Sequence, residues 1–546
     1  MKKSYKVRIV CIFGVFMLLY AAIIVNLSRI QIWHHDFFVN LGDKQYSMTH
    51  TKNPPRAAIY DRTKTHFLAM NKDSVSAFIV PNNLKHPNEL ISFLKKYFPE
   101  SIERLSHSHD HKFMYIKRKL SDEQIHLIKK SKLTDIQLLN EPSRFYPLEA
   151  AAQIIGVTDI DNQGLLGIEL YFNAQLAGTP STVTLEKDAR SGHFYFKKET
   201  TVEGTLGKSI YLSIDGDLQF LVQEELQKTV EAFGAREGSV LVMNPSNGEI
   251  LAMVSIPTFD PNDRDHLNPE SMKSKCITET YELGSVIKVF AALAALEEGV
   301  VTLDEQIDCL NTKTAYIEGR KVNTTKENGI ISFSEVIAFS NNIGTAIVTK
   351  RVGEKLYDHY KRIGFGKKTG IEFPGEQKGF VNPPHNWSKQ SIISLSYGYE
   401  ITATLLQLGC AFAMIANDGH PIQPTLLLNT PEHKPALKAI YSPRAINDIK
   451  YILEQTTLKG SMKRAAMKGY HIMSKTGTAN MLIDGQYRPE KNIFTCAGII
   501  EKDGYKRVVV TFVKEASKSD LYAAMVTAPL FERVAQKVLI HDAIIT

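Results

Sequence analysis

A serine and a lysine three residues apart, Ser285 and Lys288, are the pair in this chain best suited to nucleophilic chemistry. Gly284 precedes the serine, and an apolar run at residues 289–296 ends before Gly299, which predicts a helix with the serine in its first turn. Residues three apart share a helix face, so the lysine amine can reach the serine hydroxyl. That amine accepts the serine proton only when it is neutral, a form that burial and the positive end of a helix favour.

Two more polar motifs follow later in the chain. Ser340 and Asn342 lie where one apolar helical stretch runs into the next, and they offer a hydroxyl and an amide to a proton relay. The third motif occupies a predicted strand and consists of Lys475, Thr476, Gly477 and Thr478. The lysine supplies a positive charge, and the two threonines share one strand face from which they can bond a substrate carboxylate. The glycine leaves space for a peptide-like ligand against the strand edge.

The elements that must position these motifs are predicted to form one antiparallel sheet covered by helices, an α+β arrangement. Five strands are expected, at residues 239–243, 249–254, 471–478, 493–500 and 507–513. Helical periodicity favours helices at 217–233 and 528–540 on the faces of this sheet, and a long, mostly helical segment separates the first two strands from the last three. In such a sheet the backbone amides of Ser285 and Thr478 would form an oxyanion hole.

The amino terminus has the pattern of a membrane anchor. Residues 9–28 carry no charge, and a helix of this length can cross a hydrocarbon core of about 30 Å. Four basic residues precede the apolar stretch and no small-residue cleavage site follows it, which predicts an uncleaved anchor with its amino terminus in the cytoplasm. The predicted domains are a tail and anchor at 1–34, a non-catalytic pedestal at 35–206 and a catalytic domain at 207–546.

Composition excludes several other classes of protein. The chain has 546 residues, of which 43% are hydrophobic and 23% charged, and this is typical of a folded protein with several domains. A net charge of +7 over this length is too small to indicate nucleic-acid binding. The five cysteines have no zinc-ligand spacing, and no metal or cofactor is expected. A disulfide between Cys276 and Cys309 is left open by the sequence.

The order of the three motifs, Ser-x-x-Lys, Ser-x-Asn and Lys-Thr-Gly-Thr, resembles that of penicillin-binding proteins and serine β-lactamases. A resemblance to the class B penicillin-binding proteins, which are transpeptidases anchored by one helix, covers nearly the whole chain. It is carried by residues 56–62, 164–169, 248–253, 259–262, 364–366, 370–376, 396–400 and 416–419. Two residues depart from the family pattern, since Ala57 replaces a glycine and Leu283 a proline. The Ser-Tyr-Gly-Tyr and Gly-Ile-Glu segments resemble the cell-division branch more than the elongation branch.

The resemblance implies a C-terminal penicillin-binding transpeptidase fold on an elongated N-terminal pedestal. It also implies that Ser285 attacks the penultimate D-Ala carbonyl of a stem peptide and that Lys288 takes the serine proton. Ser340 would then protonate the leaving group, and Asn342 would orient the substrate amide. In the third motif, Lys475 would support the proton relay, and Thr476, Gly477 and Thr478 would bind substrate.

The function implied by the resemblance is peptidoglycan D,D-transpeptidation in septal wall synthesis, with β-lactams as inhibitors. The implied partners are peptidoglycan stem peptides, a membrane-embedded peptidoglycan glycosyltransferase and divisome proteins. The implied location is the inner (cytoplasmic) membrane, with the catalytic domain in the periplasm. The alternatives are an elongation-specific transpeptidase, a β-lactamase and a penicillin sensor.

Overall fold

A computed structural model of the chain describes residues 2–107, 113–187, 194–428, 437–518 and 520–543. The chain divides into two compact units. The first unit is formed by residues 1–55 and 177–207, and the second by residues 56–176 and 208–546. The three predicted motifs all lie in the second unit.

The first unit begins with a long apolar helix, Lys2–Ser28, that continues through the π-helical turn Arg29–Trp33. The stretch Ser4–Trp33 is long and apolar enough to cross a membrane. The helix His35–Tyr46 follows it. The remaining elements are three antiparallel strands, Ser47–Lys52, Ser181–Lys187 and Phe194–Val202.

The amino-terminal part of the second unit is built on a small mixed sheet. Its strands are Ile59–Tyr60, Phe67–Ile79, Met114–Lys117, Gln137–Phe145 and Ile210–Tyr211. Its helices are Pro87–Tyr97, Glu100–Ser106, Asp122–Ser131, Ala152–Ile155, Gly167–Tyr171 and Asn173–Ala177. A capping box at Ser121 begins the third of these helices, because the Ser121 hydroxyl accepts from the Gln124 N–H.

A buried ion cluster holds this part of the second unit together. The Glu169 carboxylate accepts from Arg56 Nε at 2.6 Å and from Arg144 Nε at 2.6 Å, and all three side chains are almost fully buried. Two segments that carry the family resemblance, at residues 56–62 and 164–169, therefore meet through this carboxylate. Removal of the Glu169 carboxylate would leave two buried guanidinium groups without a counter-charge.

The large sheet of the second unit has five antiparallel strands. Their order across the sheet is Ile250–Ile256, Glu237–Met243, Tyr505–Lys514, Gln486–Lys502 and His471–Ile483. The two strands that precede the helices and the three that follow them pair as the sequence predicts, so the predicted α+β sheet is confirmed.

Helices cover both faces of this sheet. On one face, the helices Gly216–Phe233 and Ala523–His541 pack against alternate strand residues such as Val240 and Phe494. On the other face, the apolar helices Lys288–Glu297 and Leu405–Ala416 pack against residues of the opposite parity, such as Leu241. The sheet is thus a central layer whose strands are buried on both sides.

The segment between the second and third strands is less helical than predicted. Its longer helices are Lys288–Glu297, Phe333–Ala338, Asn342–Val352, Lys355–Ile363, Ser391–Ser396, Leu405–Ala416 and Pro443–Leu458. Three two-stranded sheets interrupt them, and they pair Gln306–Asp308 with Ile330–Ser332, Thr314–Ile317 with Arg320–Asn323, and Phe380–Val381 with Ile401–Thr402. These strands have two to four residues, which is too short for their alternation to stand out in the sequence.

All five cysteines are free, so the disulfide between Cys276 and Cys309 does not form. The Cys276 sulfur lies 3.9 Å from the Val240 carbonyl, within the large sheet. The Cys309 sulfur instead lies beside Gly344, in the helix Asn342–Val352. The two thiols are therefore buried against different elements.

Candidate active site

Ser285 lies in a tight turn that leads into a buried helix. Residues Gly284–Ile287 form a 3₁₀ turn, and the α-helix runs from Lys288 to Glu297, so the serine lies just before the α-helix that the sequence predicts to contain it. Gly284 has a φ of +59°, a conformation that glycine adopts without strain. The Ser285 side chain is half-buried, whereas the Lys288 side chain one turn later is completely buried.

The strand His471–Ile483 lies directly against this turn. A Cβ atom at Gly477 would lie 2.2 Å from the Leu283 carbonyl oxygen and 2.9 Å from the Val286 nitrogen. A Cβ atom at Gly284 would lie 2.6 Å from the Thr478 carbonyl oxygen. The missing side chain at 477 therefore makes room for the turn that carries Ser285, and the binding of a ligand against this strand edge stays a prediction.

The Ser340 hydroxyl joins the two motif lysines. Lys288 Nζ donates to the Ser340 carbonyl oxygen at 2.6 Å and to Ser340 Oγ at 3.1 Å. Lys475 Nζ donates to the same Oγ at 3.0 Å and to the Thr476 carbonyl at 2.9 Å. Ser340 has a φ of +59°, unusual for a residue with a side chain, and it occupies the corner between two helices. The second and third motifs thus meet the first at one hydroxyl.

Burial decides the charge of the two lysines. Burial, together with the neighbouring Lys475 amine, lowers the pKa of Lys288 well below its ordinary value. Burial lowers the pKa of Lys475 to about 7. A neutral Lys288 has a lone pair that can accept a proton, which is the property that the sequence analysis requires of this residue.

The second motif also supports the helix that follows it. The Asn341 side chain is buried and accepts from the Gly344 N–H at 2.9 Å, so it caps the helix Asn342–Val352. Asn342 Nδ2 donates to the Asn323 carbonyl oxygen at 2.5 Å. The amide that is predicted to orient substrate is therefore held by the hairpin of Thr314–Ile317 and Arg320–Asn323.

The two threonines of the third motif already have hydroxyl partners. The Thr476 hydroxyl lies 2.8 Å from that of Ser461, and the Thr478 hydroxyl accepts from the Ala523 N–H at 3.0 Å. A hydroxyl that accepts from an amide keeps its own proton for a further acceptor, and in a hydroxyl pair one proton likewise remains available. Both threonines can therefore donate to a carboxylate without losing these contacts.

The arrangement leaves one hydroxyl available for reaction. Among the residues that the structure describes, none forms a hydrogen bond with Ser285 Oγ. Ser285 lies in the turn that packs against the strand of Gly477 and Thr478, and the helix that follows this turn carries the buried amine of Lys288. This geometry is suited to acyl transfer, in which a serine attacks a carbonyl while backbone amides face the developing oxyanion.

Sequence reasoning missed Ser461 and the groups beside Glu282. The Glu282 carboxylate, three residues before Ser285, accepts from the Glu400 N–H at 3.0 Å and from the Tyr487 hydroxyl at 3.1 Å. No short sequence motif predicts these contacts. The two contacts of Glu282 join residues more than a hundred positions apart, and Ser461 lies in a loop. The motif residues were detectable because each motif is local in the chain.

Comparisons with known proteins identify the family of this chain. Residues 238–536 match the penicillin binding protein transpeptidase domain, and residues 51–212 match the penicillin-binding protein dimerisation domain. The chain therefore belongs to the penicillin-binding protein transpeptidases, in their class B.

Several curated relatives match over most of their length. The chain is 28% identical to the probable peptidoglycan D,D-transpeptidase PbpC of Pseudomonas aeruginosa, over 96% of this chain and 94% of the relative. It is 30% identical to the peptidoglycan D,D-transpeptidase FtsI of Buchnera aphidicola, over 78% of this chain and 75% of that protein. The crystal structure of penicillin binding protein 3 from Mycobacterium tuberculosis in complex with aztreonam has the same fold, with a TM-score of 0.69, 24% identity and coverage of 91% and 98% of the two chains.

Proposed function

We propose that this class B transpeptidase cross-links peptidoglycan stem peptides during septal wall synthesis, with Ser285 as its nucleophile. The observation that carries the proposal is the meeting of three motifs at one corner. The amines of Lys288 and Lys475 share the Ser340 hydroxyl, and the strand that bears Lys475 lies against the turn that bears Ser285.

The first half of the proposed reaction forms an acyl-enzyme. Ser285 Oγ bonds to the carbonyl carbon of the penultimate D-Ala while neutral Lys288 takes the hydroxyl proton. The C–N bond to the terminal D-Ala then breaks, and its nitrogen receives a proton through Ser340, which lies within hydrogen-bond reach of Lys288. Thr476 and Thr478 hold the terminal carboxylate until it leaves.

The second half resolves the serine ester. An amine of a second stem peptide attacks the ester carbonyl, a new C–N bond forms, and the bond to Ser285 Oγ breaks as the serine regains its proton. Lys288 and Ser340 carry out the same proton transfers in reverse order, while Asn342 orients the substrate amide and Lys475 maintains a positive field beside the relay. A β-lactam follows the first half and then remains attached as a stable ester.

The proposal also assigns the transpeptidase to septal wall synthesis rather than to elongation of the side wall. It is supported by the Ser-Tyr-Gly-Tyr segment at 396–399 and by relatives that are named FtsI, in Buchnera aphidicola and Escherichia coli. A fluorescent fusion of the chain should concentrate at midcell. Enrichment along the side wall would instead favour the elongation-specific alternative.

The cellular arrangement is also proposed. Four basic residues lie before or within the first turns of the apolar stretch Ser4–Trp33, which favours a cytoplasmic amino terminus and a periplasmic catalytic domain on the inner membrane. Residues 35–206 serve as a non-catalytic pedestal and residues 207–546 as the catalytic domain. The two matched domains are a transpeptidase domain and a dimerisation domain, and the expected partners are a membrane-embedded glycosyltransferase and divisome proteins.

The test of the nucleophile is covalent labelling with a fluorescent penicillin, followed by mass mapping of the adduct. The wild type should carry one adduct, at Ser285, and Ser285→Ala should carry none. Ser246→Ala, which removes an exposed hydroxyl in a turn, is the matched control and should label normally. An adduct on the Ser285→Ala protein would refute the assignment. Rapid turnover of a chromogenic cephalosporin, in place of stoichiometric labelling, would favour a β-lactamase.

A further inference from the structure

Three tyrosines form a continuous surface beside the serine turn, which we name the tyrosine patch: Tyr397, Tyr399 and Tyr487. The ring centroids of Tyr397 and Tyr399 lie 5.8 Å apart, and those of Tyr399 and Tyr487 lie 4.9 Å apart, both edge to face. Tyr487 is exposed, Tyr399 is half-buried and Tyr397 is buried, so the patch borders solvent at its Tyr487 end. The Tyr487 hydroxyl bonds to Glu282, which connects the patch to the segment of Ser285.

The cation at the border of this patch is Arg320, which interacts electrostatically with Glu282 but forms no salt bridge within the described residues. Arg320 Nε donates to the Tyr397 hydroxyl at 3.0 Å, and the side chain is half-buried. Across the described part of the chain, no carboxylate lies within ion-pair distance of Arg320. Its two terminal nitrogens therefore keep the planar fork that binds a carboxylate with two parallel hydrogen bonds.

Arg320 is also tied to the catalytic motifs. It lies at the start of the strand Arg320–Asn323, whose last residue accepts the hydrogen bond of Asn342. The Glu282 carboxylate, three residues before Ser285, accepts from Tyr487 at the other end of the row of rings and lies close enough to Arg320 to interact with it electrostatically. The patch is thus a largely apolar surface with a positive group at one side and a negative group at the other.

The exposure of the strand His471–Ile483, which carries the third motif, indicates the direction in which a bound peptide extends from the site. Residues 472–477 of the strand are buried, whereas Thr478, Asn480, Met481 and Leu482 are partly or fully exposed. A peptide whose terminal carboxylate is held at Thr476 and Thr478 must therefore extend toward residue 480. An extended chain advances about 3.3 Å per residue, so the residue that precedes D-Ala-D-Ala lies near Asn480. Tyr487 pairs across the strands with Leu482, two residues beyond Asn480, so a residue bound near Asn480 reaches the tyrosine patch.

We propose that Arg320 and Glu282 bind an amino-acid head group on the side chain of that preceding residue, with its carboxylate on Arg320 and its ammonium group on the Glu282 side. The inference rests on the proposed function, and it specifies the chemical class of the donor stem peptide. That peptide carries a diamino acid whose far end bears both an amine and a carboxylate. A branch that ends in a plain amine lacks the group that Arg320 recognises.

The experiment compares three synthetic donors that end in D-Ala-D-Ala. Their preceding residue carries a side chain that ends in an amino carboxylate, in the matching amino carboxamide, or in an amine alone. Acylation of the full-length protein in detergent is measured by competition with a fluorescent penicillin. The wild type should prefer the carboxylate donor over the carboxamide donor by about tenfold or more, the usual strength of a hydrogen bond to a charged group.

Variants separate recognition from folding. Arg320→Met should reduce the preference to less than about twofold, chiefly by raising the half-saturating donor concentration, and Arg320→Lys should give an intermediate value. Lys321→Met, on the exposed neighbour in the same strand, should keep the wild-type preference. Equal rates for the carboxylate and carboxamide donors in the wild type would overturn the inference, as would an undiminished preference in Arg320→Met.

The penicillin reaction keeps the two hypotheses apart. If penicillin does not label Ser285 in the wild type, the proposed function fails. If penicillin labels Ser285 and the donors do not differ, only the head-group site fails. The wild-type comparison requires no variant, so the inference remains testable even if Arg320→Met does not fold.

Discussion

Gly477→Ala is the substitution that most directly tests the contact between the motif strand and the serine turn. The added methyl carbon would lie 2.2 Å from the Leu283 carbonyl oxygen, which is more than about 1 Å inside an ordinary van der Waals contact. The added carbon would also lie 2.9 Å from the Val286 nitrogen and 2.9 Å from Val286 Cγ2, and because two of the three contacts are to backbone, movement of a side chain alone cannot relieve the overlap. The strand and the turn must therefore separate by about 1 Å.

Such a separation should affect catalysis more than folding. Overpacking of this kind costs about 1–3 kcal/mol of stability, whereas a misplacement of about 1 Å in a reacting group can cost about 10²-fold in rate. We expect Gly477→Ala to remain folded and to lose about 100-fold in the second-order rate of penicillin acylation. The assay is stopped-flow acylation, with a thermal midpoint measured in parallel.

The matched control for this prediction is Gly329→Ala. A Cβ atom at Gly329 meets no heavy atom within 4 Å, and its backbone does not have a positive φ. This variant should acylate at the wild-type rate. A folded Gly477→Ala protein that acylates within about threefold of the wild type would refute the argument that the close approach sets the catalytic geometry.

Three further predictions concern the buried charges. Lys288→Met should lower the acylation rate about 10²- to 10⁴-fold, the usual contribution of a general base, as measured with the same penicillin; an unaffected rate would exclude this residue as the base. Lys475→Met removes a positive neighbour that helps to lower the Lys288 pKa, so this pKa should rise in the variant. The acid limb of the acylation pH profile should therefore move to higher pH. No shift, or a shift to lower pH, would contradict this coupling. Glu169→Gln leaves two buried guanidinium groups without a counter-charge and should cost about 3–5 kcal/mol in urea unfolding, whereas the exposed Glu224→Gln should be neutral.

The sequence was sufficient to predict the large sheet because its strands are long apolar runs bounded by turn residues. The strand His471–Ile483, for example, begins at its predicted residue, and the last two strands follow Asp-Gly turns. The serine and lysine motifs were equally accessible, since each lies within four consecutive residues. Their convergence on the Ser340 hydroxyl could be expected only from the resemblance to a family, because no spacing rule links residues 288, 340 and 475.

Other parts of the site depend on tertiary contacts that leave no local pattern. The strand that carries Arg320 has four residues, and only one of them is buried, so it gives no clear strand signal. Ser461 is one hydroxyl in a loop, and its contact with Thr476 exists only because that loop returns to the sheet. The role of Gly477 was also hidden, because an absent side chain does not reveal whether protein or ligand occupies the space.

The free cysteines make the chain suitable for thiol-based mapping of membrane sidedness. Burial raises the pKa of Cys276 to about 12, that of Cys309 to about 11 and that of Cys410 to about 12, and it also raises that of Cys496, so these thiols are poorly reactive. Cys11 is exposed and lies in the apolar amino-terminal helix. In a Cys11→Ala background, a single cysteine introduced at an exposed position would be the principal target of an impermeant maleimide, and its accessibility in intact cells would report which side of the membrane it occupies.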